Sequence, residues 1–262
     1  MAASPNGVRI DIDERGVARV TLDRAGRHNA FDGALVGALG AAAGELGRDA
    51  DVRVIVITGA GDSFCAGADL EHMRAMADAS EDANYADALA LADMLAALEA
   101  CGKPLVARVN GDAFGGGVGL VACCDIAIGL AGARFALSEV RLGLVPATIS
   151  PHVVAAIGAR ATRALALTGE RFDGVRAQAL GLLHAVAADL PQLDAALERI
   201  VADLLQGGLT AQGEVKALLR EVTGAPRDAA LRRATSHRLA RLRLSQEAVE
   251  RISAFLARRK RL

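Results

Sequence analysis

The sequence predicts an α/β protein. Strand-like and helix-like segments alternate through about the first 190 residues, and only helical periodicity follows. Two further observations agree. The chain has 262 residues, 52% of them hydrophobic and 23% charged, which is enough apolar material for one sizeable core. Its stretch Asp51–Thr58 (DVRVIVIT) is almost continuously apolar, as a strand covered on both faces requires.

The elements follow in order. Val8–Ile12 and Val17–Leu22 alternate apolar and polar residues around Glu14-Arg15-Gly16, which predicts an antiparallel hairpin. From Asp32 to about Arg48, the residues Leu35, Val36, Leu39, Ala43 and Leu46 recur at helical spacing. The strand at 51–58 comes next, then a loop, Gly59–Gly67. Leu70–Met76 and about Asp82–Ala100 read as helices. Pro104–Val109 is a strand, followed by the glycine-rich Gly111–Gly119, a short helix and the strand Asp125–Ile128. After Leu183–Val186 the pattern turns helical, punctuated at Gly207-Gly208 and Gly224-Ala225-Pro226. The expected division is an α/β core over residues 1–195 and a helical C-terminal region over 196–262.

Composition narrows the function. There are 57 Ala and 28 Gly against 6 Phe, 1 Tyr and no Trp, which speaks against stacking of nucleic-acid bases on aromatics as a main activity. Net charge is −1, from 30 basic and 31 acidic residues, which gives no overall pull toward nucleic acid or membrane. Cys65, Cys101, Cys123 and Cys124 match no zinc-ligand spacing. They read as small buried thiols in a reducing, cytoplasmic compartment, and no metal site is expected. The first residues, MAASPNGVRI, lack the layout of a secretory leader, and no apolar run approaches the roughly 18 residues that span a bilayer.

Two loops carry the chemistry. In Ser63-Phe64-Cys65-Ala66-Gly67-Ala68-Asp69-Leu70 a strand gives way to small residues and then to a helix start, where backbone amides point outward as donors. In Asn110–Gly119 three consecutive glycines, Gly115 to Gly117, again join a strand to an apolar helical run. The second loop is neither a P-loop, since no Gly-Lys-Ser/Thr follows, nor a dinucleotide fingerprint, since the glycine spacing is wrong. Two such loops converging on one oxygen would make an oxyanion hole for a thioester carbonyl.

Four stretches together resemble the enoyl-CoA hydratase/isomerase (crotonase) superfamily: VARVTLDRAGRHN from Val17, VIVITGAGDSFCAGADL from Val54, KPLVARVNGDAFGGGVGLVACCD from Lys103 and FALSEVRLGLVP from Phe135. The resemblance runs from about residue 8 to 260 with the pieces in the family's order. It implies a crotonase-like spiral of ββα units in perpendicular sheets with a helical C-terminal trimerisation region, a homotrimer or dimer of trimers. It also implies an acyl-CoA thioester substrate, with coenzyme A part of that substrate and no separate cofactor. By position the oxyanion amides belong to Ala68 and Gly116. Ala66, Asp69 and Leu70 line the adenine end of the coenzyme A pocket, Gly115 and Gly119 adjoin the thioester, and Arg24 or Arg27 lies near the phosphates.

Hydratases of this family typically carry two glutamates. One matches Glu139; the other falls at Gly119, so one carboxylate is missing. In the functional reading Glu139 is partly buried, its pKa is raised and it exchanges protons near neutrality. Asp112 is a candidate helper by proximity in sequence, with a loop-capping acid as its other reading, and His152 is a candidate for the acyl pocket. A lone carboxylate also serves an isomerase, which needs one base to move a proton. A narrower resemblance, in FGGGVGLVACCDIAI, LSEVRLGLVPATISP and LTGERFD, is to bacterial methylglutaconyl-CoA-type hydratases of leucine and isoprenoid breakdown. Their substrate's second carboxylate would call for Arg141 or Arg74. The arginine-studded Arg227–Arg243 and the basic end Arg258–Arg261 read as solvated surface, with RNA binding or a reach to a neighbouring subunit's coenzyme A phosphates as weaker readings. The expected activity is reversible hydration of a 2-enoyl-CoA; the alternatives are an enoyl-CoA isomerase and a non-catalytic CoA- or RNA-binding relative.

Overall fold

A computed structural model describes residues 6–259. The chain opens with the hairpin β1 (Val8–Ile12) and β2 (Val17–Leu22), paired antiparallel from Val8 opposite Leu22 to Ile12 opposite Ala18. Then come α1 (Gly33–Arg48), β3 (Val54–Gly59), β4 (Ser63–Cys65), α2 (Leu70–Ala77) and α3 (Glu81–Ala100). The glycine-rich region is built from β5 (Leu105–Val109), β6 (Asp112–Phe114) and α4 (Gly116–Ala122). After β7 (Ile126–Leu130) and β8 (Arg134–Ala136), a 3-10 turn over Glu139–Leu142 leads to α5 (Ser150–Thr168). The remainder is β9 (Phe172–Asp173), α6 (Gly174–Leu180), β10 (Ala185–Ala187), α7 (Leu190–Gln206), α8 (Leu209–Val222), α9 (Ala229–Arg243) and α10 (Gln246–Arg259).

The strands form two sheets. One runs β1-β2-β3-β5-β7-β10, parallel except for the hairpin; the other runs β4-β6-β8-β9, with β9 antiparallel to β8. The long apolar strand is central for the reason its composition suggests. Ile55 and Ile57 join the core under α1 and α3, while Val54 and Val56 face Leu193, Leu197 and Val201 of α7. Alternate residues of one strand thus serve two hydrophobic layers.

The second sheet is where the sequence reading falls short. The segments at 63–65 and 112–114 were expected to be loop, and they are strands of three residues, too short for any periodicity to show. Their pairing decides the site, because parallel β4 and β6 end side by side and deliver both loops to one place.

The division between residues 195 and 196 falls inside α7, which packs against the large sheet as part of the core. The helices beyond α7 are tied back by Lys216 of α8. Its Nζ lies 2.7 Å from Asp125 Oδ2 and donates to Lys103 O. Among the described residues no helix is long and apolar enough to cross a membrane. The cysteines are unbridged, and burial pushes the Cys65 thiol up to about 12. Of the basic end Arg258–Arg261, residues 260 and 261 lie outside the described residues.

Candidate active site

The loop after β4 is held in place by Phe31. Phe31 N donates to Gly67 O at 2.7 Å and Asp69 N donates to Phe31 O at 2.8 Å, which turns the Ala68 N–H to the opposite side. Gly67 has φ +86°, and a Cβ on it would stand 2.7 Å from Phe114 O and 3.5 Å from Gly116 N. The two loops therefore touch, and only glycine permits the approach. In the second loop Gly115 N donates to Ala136 O at 2.9 Å, and Gly115, at φ +48° and ψ −117°, turns the chain into α4. Gly116 is the first residue of that helix, where an amide has no partner within the helix.

Between the loops lies a cavity of about 340 Å³. Ala66, Gly67, Ala68, Gly115, Gly116 and Glu139 all line it, with Leu70 at its rim. Glu139 opens the 3-10 turn after β8. Its Oε2 is buried with no hydrogen-bond partner, and Oε1 lies only 3.0 Å from where a Gly115 side chain would begin. Burial raises its pKa above the ordinary carboxylate value of 4.5, and a hydrogen bond from its own backbone opposes the shift. The cavity wall is otherwise largely apolar: Phe31, Val36, Met73, Leu91, Leu142, Leu144, Val145, Pro146 and Ile149. Asp32 and an interacting pair, His72 Nε2 and Asp87 Oδ1 at 2.8 Å, add polar groups.

Several expected positions are corrected. Gly119 does not line the cavity; a Cβ there would meet Ile149 Cγ2 at 2.3 Å, and it is Ile149 that reaches the wall. Asp112 faces away from Glu139. It accepts from the backbone N and Nε of Arg134, at 2.8 and 2.9 Å, in a different groove with His28 and Ser63. His152 pairs with Glu99 at 3.2 Å, outside the cavity lining. Arg141 packs on Gly169, whose Cβ would lie 2.9 Å from its Nε, and Arg74 is exposed on α2; neither lines the cavity.

Arg24 is not a free phosphate ligand. Its guanidinium lies 2.9 Å from Asp32 and 3.1 Å from Asp69, and it also donates to Ala30 O. Asp69 is buried and caps α2 through the amides of Glu71 and His72, so it holds the loop and does not line the pocket. Its own hydrogen bonds and Arg24 offset the cost of burial and bring its pKa below the ordinary value. Arg27 is half-exposed and paired with Glu71 at 2.7 Å, beside the rim residue Leu70. Sequence reasoning missed Phe31, the His72–Asp87 pair and Ile149. Only Asp32 carried a signal, as the acidic residue before a helical stretch that caps α1 by accepting from Leu35 N.

Comparisons with known proteins bear on this geometry. The sequence profile described as "Enoyl-CoA hydratase/isomerase" matches residues 13–261. Among curated proteins, the chain is 38% identical to "Enoyl-CoA hydratase AKT6-1" of Alternaria alternata over 216 residues, covering 82% of this chain and 70% of that one. Among solved structures, it resembles an enoyl-CoA hydratase from Shewanella pealeana with TM-score 0.92 and 38% identity, covering 96% of this chain and 94% of that one. It also resembles Pseudomonas aeruginosa AtuE with TM-score 0.92 and 36% identity, covering 95% and 96%.

Proposed function

Because this chain belongs to the enoyl-CoA hydratase/isomerase family, we propose that it catalyses reversible addition of water to the 2,3-double bond of a 2-enoyl-CoA thioester. The observation that carries the reading is Glu139. Its buried, unpartnered Oε2 shares one cavity with the Ala68 and Gly116 loops. In the proposed step Glu139 accepts a proton from water as the hydroxyl oxygen bonds to Cβ. The double-bond electrons move to the thioester oxygen, held by the amides of Ala68 and Gly116. Glu139 then returns the proton to Cα as the carbonyl reforms, so one carboxylate completes the cycle. Coenzyme A enters as part of the substrate, and each amide is worth about 10²–10³ in rate.

The apolar wall favours a compact hydrocarbon acyl group. A methylglutaconyl-like substrate would find no Lys or Arg among the described lining residues, and His72 there is already engaged by Asp87. The exposed apolar side chains of α9 and α10 support a homotrimer, and the unbridged thiols support a reducing, cytoplasmic setting.

Replacing Glu139 tests the reading. Glu139→Gln is expected to lower hydration of crotonyl-CoA by about 10²–10⁴ while acyl-CoA binding persists; undiminished turnover removes Glu139 from the mechanism. One observation favours a second reading. Ile149 stands where another carboxylate would be, and an isomerase needs only one base. Separate incubation with a 2-enoyl-CoA and a 3-enoyl-CoA, following the conjugated thioester absorbance, distinguishes them: hydration consumes it from the first, isomerisation generates it from the second.

A further inference from the structure

Gly116 and Gly119 lie three residues apart on α4, hence on one face and about 4.5 Å apart along the axis. The place one turn beyond the Gly116 amide lies over Gly119, toward the cavity wall at Ile149. That place is taken. A Cβ on Gly119 would meet Ile149 Cγ2 at 2.3 Å and Ile149 Cβ at 2.6 Å, with Ile149 Cα at 3.6 Å. The obstructing atoms are next to the backbone, so they cannot swing aside as a flexible chain end would. Ile149 is 1% exposed, stands immediately before α5, and belongs both to the hydrophobic core and to the cavity wall. Its β-branch leaves little rotamer freedom.

We propose that Ile149 is a specificity-determining residue. It forms the hydrocarbon wall against the acyl carbons, and by filling the space over Gly119 it selects 2-enoyl thioesters with a compact apolar substituent at Cβ and Cγ. The proposal rests on the hydratase reading for its substrates, but the wall itself is tested by binding alone. An added or missing methylene in an apolar pocket changes discrimination by about 10–200-fold.

The experiment uses the full chain with Ile149→Val and Ile149→Ala. It measures kcat/KM for crotonyl-CoA, 2-hexenoyl-CoA and 3-methylcrotonyl-CoA, and calorimetric Kd for butyryl-CoA, hexanoyl-CoA and isovaleryl-CoA. The expected result is a shift of both ratios toward the larger acyl groups, about 10-fold for Ile149→Ala and less for Ile149→Val. Equal losses on every substrate with unchanged ratios would overturn the proposal. Should the wild-type chain hydrate none of the enoyl esters, the hydratase reading fails while the saturated esters still decide the wall. Gly119→Glu adds an independent arm. It is expected to cut activity at least about 10-fold by displacing Ile149, and a folded variant with undiminished hydration would show room for a carboxylate and overturn the proposal. The milder Ile149→Val covers the case in which a larger change prevents folding.

Discussion

Glu139 combines poor solvation with a position between two amide-bearing loops, and both properties make predictions. Its folded-state pKa is raised by burial, so the ionised form is the one the fold disfavours. Its contribution to stability is therefore full below the ordinary value of 4.5 and is lost as pH rises through the raised value. Glu139→Gln should be more stable than wild type at about pH 7, with the difference vanishing by about pH 4; thermal unfolding at the two values checks this. In the proposed cycle Glu139 begins ionised, so hydration by wild type should rise with pH along a limb above 4.5 that the Gln variant lacks, which a kcat–pH profile reads. Glu139 was legible because its surrounding segment carries the family's pattern. Asp112 takes the structural of its two readings, because nearness in sequence says nothing about direction: one strand residue before Ala113, it points to Arg134.

At the scale of elements, one cation serves two helices. Arg24 bridges Asp32, the cap of α1, and Asp69, the cap of α2, and so fixes the backbone beside Ala68. Arg24→Met would leave Asp69 buried with one partner fewer. It should cost about 1–3 kcal/mol in urea unfolding and lower kcat more than it raises KM, because it acts through the position of an amide. The long elements were readable from periodicity: α1, α3 and the hairpin lie within a residue or two of expectation. The second sheet was not. Its strands have two or three residues and gain their order from pairing with segments distant in sequence, which no local pattern encodes.

At the scale of the whole molecule, α9, α10 and the turn between them leave large apolar side chains in water: Leu244 in the turn is 84% exposed, and Leu239, Val249, Ile252 and Leu256 are each more than half exposed. Together they fit a surface covered by another copy. The proposed trimer predicts a sedimentation mass of three or six chains of 26.9 kDa, reduced to one by Ile252→Glu with Leu256→Glu. The helical end of the chain was legible as a region, but its border was not. The apolar stripe of α7 reads the same whether it covers the sheet or a neighbouring helix, and the structure assigns it to the sheet.

The contact between Gly119 and Ile149 also bears on how such a site changes by descent. A lineage that first acquired a carboxylate at 119 would carry a clash until the residue at 149 shrank. One that first trimmed 149 would carry a void, at about 2–5 kcal/mol for loss of a buried isoleucine side chain. Neither order offers a neutral first move, so the absence of a carboxylate at 119 is sheltered by packing and not only by selection on the reaction.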